Sequence, residues 1–359
     1  MRVDHLWLTD FRSYAQTDLR FAPGLTAIVG ANGEGKTNLV EAVVFLATLG
    51  SFRGAPTDAL VRVGASSAVV RAEGERDGRS LLVEAEITAA GRTRAQVNRQ
   101  RLSRTRDLLG ALRATVFAPD DLEMVKSGPA ERRRYLDDLL VAVHPRHDRT
   151  RGDLDRILRQ RNALLKQSHG RLDADAEATL DVWDQRLAAV ATEWGTARRD
   201  LVARLAPVLG ASYDAVASES AAVAVEYAPE WLDVGMAEAL AEGRREDVRR
   251  GVTLVGPHRD EIALAIGGMP ARTHASQGEQ RSLTFALRIA GHDLVTAEVG
   301  SPPVLVLDDV FSELDPERSH ALLAALPAGQ TILTTASRLP EGAVPEQVVD
   351  IVGGVVVER

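Results

Sequence analysis

The sequence predicts an α/β fold that is built from both ends of the chain and carries a mainly helical insert. Near the N-terminus, a short apolar run leads into a glycine-rich loop and then into a helical pattern. After residue 300, apolar runs alternate with helical patterns, as in layered α/β proteins. Between these regions, residues 121–250 are rich in Ala, Leu, Arg and Asp, with few β-branched residues before position 216. We therefore expect one α/β domain from 1–120 and 251–359, and an inserted helical lobe over 121–250.

Composition narrows the possible classes of function. The 359 residues are 45% apolar and 26% charged, which is ordinary for a globular protein. Cysteine is absent, so disulfides, thiolate metal sites and cysteine nucleophiles are excluded. No apolar run reaches 18 residues, and the first residues include Asp4, unlike a signal peptide. We expect a cytoplasmic protein without a membrane partner. The net charge of −8 disfavours a general coat of nucleic acid but allows a local basic face.

The glycine-rich loop is the first candidate site. It follows the apolar run 25–29, precedes a helical pattern over 39–46, and reads Gly30-Ala31-Asn32-Gly33-Glu34-Gly35-Lys36-Thr37. A strand, such a loop and a helix together form a phosphate cradle, because free amide groups and the helix dipole face the anion. Lys36 is expected to reach the β- and γ-phosphates, and the Thr37 hydroxyl to hold Mg²⁺. We also assign the next residue, Asn38, to this nucleoside triphosphate site.

Two acidic residues form the second candidate site. Asp308 and Asp309 follow the continuous apolar run 304–307, which is typical of a central parallel strand. Ligands of such sheets bind at the carboxyl ends of the strands. Asp308 is expected to hold Mg²⁺, as a Walker B acid does, and Asp309 to polarise the attacking water. The alternative is a pair of solvated acids at a strand end.

A third element, Ser276-Gln277-Gly278, precedes a helix predicted over 278–298. A helix N-terminus of this composition suits a γ-phosphate. Between the phosphate loop and the Asp308 strand, it resembles the signature motif of ATP-binding-cassette (ABC) ATPases, and 311–315 resembles their D-loop. This resemblance implies an ABC-type P-loop ATPase head, with a mixed sheet lobe and a parallel sheet. It also implies that the signature of one copy closes on the ATP of another, which makes the protein an ATP-dependent homodimer with two shared sites.

Several further motifs are similar to one branch of these ATPases, the RecF family of recombination mediators, which is related to Rad50 and the SMC proteins. The similar segments are 8–14 with Arg12, 119–137, 160–165, 256–260, 276–281 and 307–315. Ser127 stands where the family usually has glycine. The resemblance implies binding of ATP with Mg²⁺, with Arg12 counted among the nucleotide-binding residues. It also implies a DNA-binding homodimer that acts with RecR and RecO to promote RecA loading at single-strand gaps beside duplex.

Three departures from the general cassette pattern concern hydrolysis. No clear Q-loop glutamine precedes Pro119, and no switch histidine follows the run 331–335, where Thr334, Thr335 and Ala336 occur instead. Asp309 also replaces the usual catalytic glutamate. We therefore expect a weak, DNA-stimulated ATPase that turns over far below the enzyme median of about 10 per second.

Basic clusters are the candidate DNA surface. They occur at 92–106, at 132–134 and over 146–171. The predicted phosphate contacts are Arg132, Arg133, Arg149, Arg151, Arg156 and Arg159. Few aromatic residues accompany them, so contact with the backbone of duplex or junction DNA is favoured over base stacking. The alternative is a solvated surface with helix ion pairs.

Two other functions remain open. A transporter-type ATPase subunit predicts a Q-loop and a switch histidine, which this chain lacks. The other is a DNA-binding scaffold that binds ATP but hardly hydrolyses it. Asp309→Asn distinguishes it: the variant should trap an ATP-bound dimer if hydrolysis is real, and change nothing if it is not.

Overall fold

The computed structural model describes residues 1–90, 93–336 and 339–358. Its residues group by their contacts into two compact units. The first comprises Met1–Leu122, Ala211–Ala221 and the chain from Gln277 onward, and the second comprises Glu123–Gly210 and Ala222–Ser276. Arg92, a member of the first predicted basic cluster, lies outside the described residues.

The described residues contain fifteen strands. They are β1 (Arg2–Phe11), β2 (Tyr14–Arg20), β3 (Leu25–Val29), β4 (Ser67–Arg76), β5 (Arg79–Thr88), β6 (Arg94–Val97), β7 (Gln100–Arg101), β8 (Ala114–Phe117), β9 (Val223–Glu226), β10 (Ala263–Ile266), β11 (Met269–Pro270), β12 (Val304–Asp308), β13 (Thr331–Thr335), β14 (Gln347–Val352) and β15 (Val355–Glu358).

They also contain ten α-helices. These are α1 (Lys36–Thr48), α2 (Glu123–Lys126), α3 (Pro129–Val143), α4 (His147–Gln167), α5 (Ala174–Val216), α6 (Glu230–Val234), α7 (Met236–Arg250), α8 (Ala271–His274), α9 (Gln277–Val299) and α10 (Pro316–Ala324). Short 3₁₀ turns occupy Thr57–Leu60, Thr105–Leu108, Pro119–Leu122 and Val310–Glu313.

The first unit contains two six-stranded sheets. One has the order β2-β1-β4-β5-β6-β7 and is antiparallel, with β4 and β5 alternating between buried and more exposed residues. Such alternation is typical of a sheet that packs on one face only. The other has the order β15-β14-β3-β13-β12-β8 and is parallel except at β15. All residues of β12 and β13 are buried, as expected for central parallel strands.

Helix α1 packs against strands of both sheets. Its sequence is apolar on nearly all sides, and every residue from Leu39 to Ala47 is buried. A helix of this kind has no solvent face and belongs to a core. The loop in front of it is therefore held between rigid elements.

The second unit is mainly helical. Helix α5 carries an apolar stripe, on which Leu180, Leu187 and Trp194 are at most 1% exposed, while Trp183 and Val190 are half-buried. A small antiparallel sheet of order β11-β10-β9 completes the unit. The residues of the segment 252–255, Val-Thr-Leu-Val, predict a strand, and this prediction is wrong. The segment is irregular, because its backbone amides donate to side chains such as Asn162 and Asp247.

The predicted fold class, an α/β head with an inserted, mainly helical part, is confirmed. Its lobe sheet is antiparallel rather than mixed, and its second sheet is parallel except at β15. The contact-based division differs from the predicted insert of 121–250, since it begins at Glu123 and includes residues up to Ser276. The physical reason is the pairing of β10 with β9, which keeps residues 263–266 in the second unit. Residues 211–221 group with the first unit, where Ser282 donates to the carbonyl of Val216. No helix among the described residues is long and apolar enough to cross a membrane.

Candidate functional site

The glycine-rich loop connects β3 to α1 in the first unit. Gly33 and Gly35 adopt left-handed backbone angles (φ 87° and 106°), which glycine tolerates without strain. A Cβ at Gly35 would also lie 2.7 Å from the hydroxyl oxygen of Tyr14. Gly35 occupies the N-cap position of α1 and supplies no side-chain cap, so the first amide groups of the helix are left for another acceptor. This is the backbone arrangement that binds phosphate.

Lys36 is held within the same loop. Its ammonium donates to the carbonyl oxygens of Gly30 and Ala31, both at 2.8 Å, and the residue is 5% exposed. The chain of the loop therefore fixes where this positive charge lies.

Thr37 and Asp308 meet although 271 residues separate them. The Thr37 hydroxyl donates to Asp308 Oδ1 at 3.0 Å, and the Thr334 hydroxyl donates to the same oxygen at 2.7 Å. The parallel pairing of β3 with β13, and of β13 with β12, brings the three residues to one sheet edge. Burial raises the pKa of the Asp308 carboxyl, while the two hydroxyl donors act in the opposite direction.

These oxygens fit a magnesium ion. Mg²⁺ is usually bound by one or two protein oxygens together with water and substrate phosphates. The Thr37 hydroxyl and the Asp308 carboxylate supply such a pair beside the phosphate loop. Across the described residues no cluster of three or more acidic, His or Cys ligands could hold a metal by itself. Thr37 and Asp308 are therefore suited to a metal that binds together with a phosphate group.

Asp309 lies beside this pair in a left-handed conformation (φ 51°), which is uncommon for a residue with a side chain. Its amide donates to the hydroxyl of Thr334 at 3.0 Å and to the carbonyl of Thr334 at 3.2 Å. Its Oδ1 atom is buried and has no hydrogen-bond partner among the described residues. A buried carboxylate oxygen of this kind is costly unless it serves another group. It is suited to orienting a water molecule.

The predicted nucleotide contact Arg12 is engaged within the first unit. Its guanidinium forms two 2.8 Å hydrogen bonds to the fully buried carboxylate of Glu41, and it also donates to the carbonyl of Ala59. Its neighbour Ser13 accepts a hydrogen bond from Asn38. The structure therefore gives Arg12 a role in fixing this turn beside α1, and contact with nucleotide stays a prediction.

The remaining loop residues differ in exposure and contacts. Ala31, Asn32 and Gly33 are exposed or nearly so, as expected at the mouth of a binding loop. Glu34 instead accepts a hydrogen bond from the amide of Gly354 at 2.9 Å, in the turn between β14 and β15. Glu34 therefore anchors the loop to the end of the sheet.

The signature segment lies at the beginning of α9, which starts at Gln277. Ser276 immediately precedes the helix and is exposed, as is Gln277. Gly278 lies against the guanidinium of Arg318 in α10. The described contacts thus join the first turn of α9 to the D-loop region.

The structure divides the arginines of the second unit. Arg132 is 6% exposed, and it donates to Glu261 and to the carbonyls of Met124 and Ser127. This burial is incompatible with the predicted phosphate contact, because the guanidinium already has internal acceptors. Arg161, which belongs to the basic cluster 146–171, is fully buried between Asp184 and Asp247. Arg133 is half-buried and donates to the carbonyl of Asp260 at 2.7 Å, so it is also a packing residue.

Four predicted arginines remain on α4. The side chains of Arg149 and Arg156 are 74% and 66% exposed, and both pair with Asp153. Arg151 is half-buried between Asp138 and Asp148. Arg159 is exposed, and no ion pair is found for it within the described part of the chain. Of the four, Arg149, Arg156 and Arg159 are therefore the accessible ones.

Two residues of the site were not predicted from sequence. Thr334 holds both Asp308 and Asp309, and Glu41 holds Arg12. Thr334 could have been found from its position at the end of a strand adjacent to β12. Glu41 could have been found as an isolated acid in an apolar helix, because a fully buried carboxylate requires a partner.

Together, the parallel sheet, the loop between β3 and α1, and the acids after β12 define the head of an ABC-type P-loop protein. Comparisons with known proteins agree. Residues 2–338 match the model of the RecF/RecN/SMC N terminal domain. The chain is 47% identical over 351 residues to the DNA replication and repair protein RecF of Streptomyces avermitilis, with 94% of each chain covered. It is 42% identical to the protein of that name from Arthrobacter sp. (strain FB24), with 99% and 98% covered.

Among solved structures, the recombination mediator protein RecF-ATPrS of the RecFOR pathway is similar with a TM-score of 0.91 and 26% identity, covering 99% of this chain and 98% of that one. A Smc head domain from Pyrococcus furiosus shares the fold at a TM-score of 0.57 and 16% identity. The chain belongs to the RecF family.

Proposed function

We propose that this chain is an ATP-dependent DNA-binding protein of recombinational repair and replication restart in the cytoplasm. The observation that carries the proposal is the hydrogen bond between Thr37 and Asp308, which joins the phosphate loop to the acidic strand end. The similar solved structures are described as RecF with ATP or ATPrS, which supports ATP as the nucleotide.

In this proposal each residue has a definite task. The loop amides and Lys36 bind the phosphates, and Thr37 and Asp308 hold Mg²⁺. The ion neutralises the developing phosphate charge when it is bound. Asp309 orients the attacking water and accepts its proton. Thr334 keeps both acids in place. Because no switch histidine follows the run 331–335, slow hydrolysis is expected.

The site is completed by a second copy of the chain. The signature segment Ser276-Gln277-Gly278 of one copy closes on the nucleotide of the other, and ATP thereby holds a homodimer on DNA. Exposed arginines such as Arg149, Arg156 and Arg159 contact the DNA backbone at gaps or junctions without reading sequence. With RecR and RecO, the dimer promotes RecA loading, and hydrolysis, stimulated by DNA, resets it.

The metal-dependent part can be tested with Asp308→Asn, which retains the shape of the side chain. We expect binding of a fluorescent ATP analogue to lose its dependence on Mg²⁺, because the amide is a poor ligand for this ion. Asp293→Asn, an exposed acid on α9, is the matched control. Equal dependence on Mg²⁺ in wild type and Asp308→Asn would contradict the assignment.

A second candidate function is a scaffold that binds ATP but hardly hydrolyses it. The absence of a switch histidine after the run 331–335 favours this candidate. Asp309→Asn distinguishes the two. If hydrolysis is part of the function, the variant accumulates an ATP-bound dimer whose lifetime exceeds that of wild type. If the chain is a scaffold, the lifetimes are equal.

A further inference from the structure

The first turn of α9 is in close contact with one side chain of α10. A Cβ atom added at Gly278 would lie 2.2 Å from a terminal nitrogen of Arg318 and 2.9 Å from the central carbon of its guanidinium. The backbone of Gly278 is not left-handed. Glycine is therefore required at this position for space, and Arg318 occupies that space.

A guanidinium is the end of a flexible side chain, so the contact matters only if Arg318 is held in place. Asp315 holds it in two ways. The Asp315 carboxylate accepts from the backbone amide of Arg318 at 2.8 Å, as the N-cap of α10, and from the Arg318 guanidinium at 2.6 Å. Moving the guanidinium away from Gly278 would break an ion pair that is formed on a capped helix start.

Asp315 also connects this pair to the acidic strand end. Asp309 is followed by the short turn Val310–Glu313, and Asp315 comes two residues later. Contacts therefore run from Asp315 through Arg318 to Gly278, and the short segment 310–314 joins Asp315 to Asp309 along the chain. The D-loop region and the first turn of α9 are fixed to each other by one arginine.

The charge of Arg318 is unusual for its place. A helix N-terminus carries a partial positive charge, so a cation beside it is unfavourable without an accompanying anion. Asp315 supplies one carboxylate, whereas the buried Nε atom of Arg318 has no hydrogen-bond partner among the described residues. The guanidinium is therefore held beside the first turn of α9, with Asp315 as its carboxylate partner.

We propose that Arg318 is a positioning residue that presets the first turn of α9 for the triphosphate held by a second copy of the chain. The proposal rests on the ATP-dependent homodimer proposed above and names the residue that prepares the receiving face. Arg318 acts through Gly278 and Asp315, and the loop of its own copy binds ATP without it.

The functional test uses the full chain with Arg318→Ala, and with Arg79→Ala, an exposed arginine of the same unit, as the control. We expect the affinity of the monomer for a fluorescent ATP analogue to change less than twofold. The dissociation constant of the ATP-bound dimer should rise at least tenfold. Arg318→Lys should not restore it, because one ammonium cannot replace the planar fork that serves Asp315 and Gly278 together. Wild-type dimerisation in Arg318→Ala would overturn the proposal.

The contact itself is tested without nucleotide, so failure of the homodimer model is distinguishable from failure of this inference. In wild type, Gly278→Ala should lower the unfolding temperature, because the methyl group displaces the guanidinium. In the Arg318→Ala background the space is open. There Gly278→Ala should raise the unfolding temperature, because alanine reduces the freedom of the unfolded chain. An equal shift in both backgrounds would show that Arg318 does not occupy the space at Gly278, and the inference would fall.

Discussion

The acids after β12 and the arginines of the second unit both occur as clusters of charge in the sequence. In the structure, the two sets differ in whether their charged groups have partners. At the sheet edge, Asp309 keeps a buried oxygen without a partner among the described residues, and α1 begins without a side-chain cap. In the second unit, Arg198 is bound by Asp137, and Arg161 by Asp184 and Asp247. Each of these buried arginines has a carboxylate partner within its own unit, whereas no ion pair is found for Asp309 among the described residues. Charge density alone therefore does not distinguish a site from a core.

The largest expected effect is on stability, and it compares two adjacent arginines of the second unit, one buried and one half-exposed. Arg198 is 2% exposed and forms hydrogen bonds of 2.7–2.9 Å to Asp137 and to the carbonyl of Pro257. Arg198→Leu leaves a buried carboxylate unpaired, so it should lower the free energy of unfolding by about 3–5 kcal/mol. The control is Arg199→Leu, at a half-exposed side chain paired with Asp233, which should change it by no more than about 0.5 kcal/mol. Urea unfolding measures both, and equal losses would contradict the distinction.

At the site, Lys36→Met should weaken ATP binding without unfolding the protein. Hydrogen bonds to charged groups are worth about 1.5–3 kcal/mol, which corresponds to a loss of roughly ten- to hundredfold in affinity. Titration with a fluorescent ATP analogue measures it, with the exposed Lys166→Met as control. Unchanged affinity in Lys36→Met would remove the loop from the binding site.

A smaller effect concerns pH and a buried histidine of the first unit. Burial lowers the pKa of His292 from its ordinary value of 6.5 to about 4, and its Nδ1 lies 3.1 Å from the Thr115 hydroxyl. Because the unfolded chain takes up the proton first, stability is complete above pH 6.5 and falls as the pH decreases toward 4. The loss between pH 8 and pH 5 is about 2 kcal/mol. His292→Gln should reduce the pH dependence of urea unfolding by that amount, whereas the exposed His320→Gln should not.

The smallest effect concerns DNA. Replacement of Arg149, Arg156 and Arg159 by alanine should weaken duplex binding equally for all sequences. It should also reduce the slope of log K against log salt by up to about 0.9 for each lost phosphate contact. The control is the pair Arg249→Ala and Arg250→Ala on α7, which lies outside the predicted clusters. If affinity and salt slope are the same as in wild type, the DNA surface lies elsewhere.

Much of the first unit could be predicted from sequence, because its signals are local. The run 25–29, the loop and the following helix are contiguous, and β12 with its two acids is contiguous as well. Parallel pairing then requires the carboxyl ends of β3 and β12 to lie at one edge. The hydrogen bond from Thr37 to Asp308 follows from these elements alone.

The second unit could not be predicted to the same depth, because its decisive contacts are distant in sequence. Glu261, the partner of Arg132, is 129 residues away, and Asp247, a partner of Arg161, is 86 residues away. The burial of Arg132 and Arg161 cannot be predicted from local composition, because each of them lies in a basic segment of the sequence. The irregular segment 252–255 resembles a strand for the same reason, since its apolar residues are visible in sequence and the side chains that hold its backbone are not.

In the proposed mechanism, ATP completes its site with a second copy of the chain. Analytical ultracentrifugation with ATP, with ADP and without nucleotide, each with and without gapped DNA, tests it most directly. We predict a monomer without nucleotide and with ADP, and a dimer with ATP that gapped DNA stabilises. A chain that binds ATP and remains monomeric in all of these conditions would contradict it.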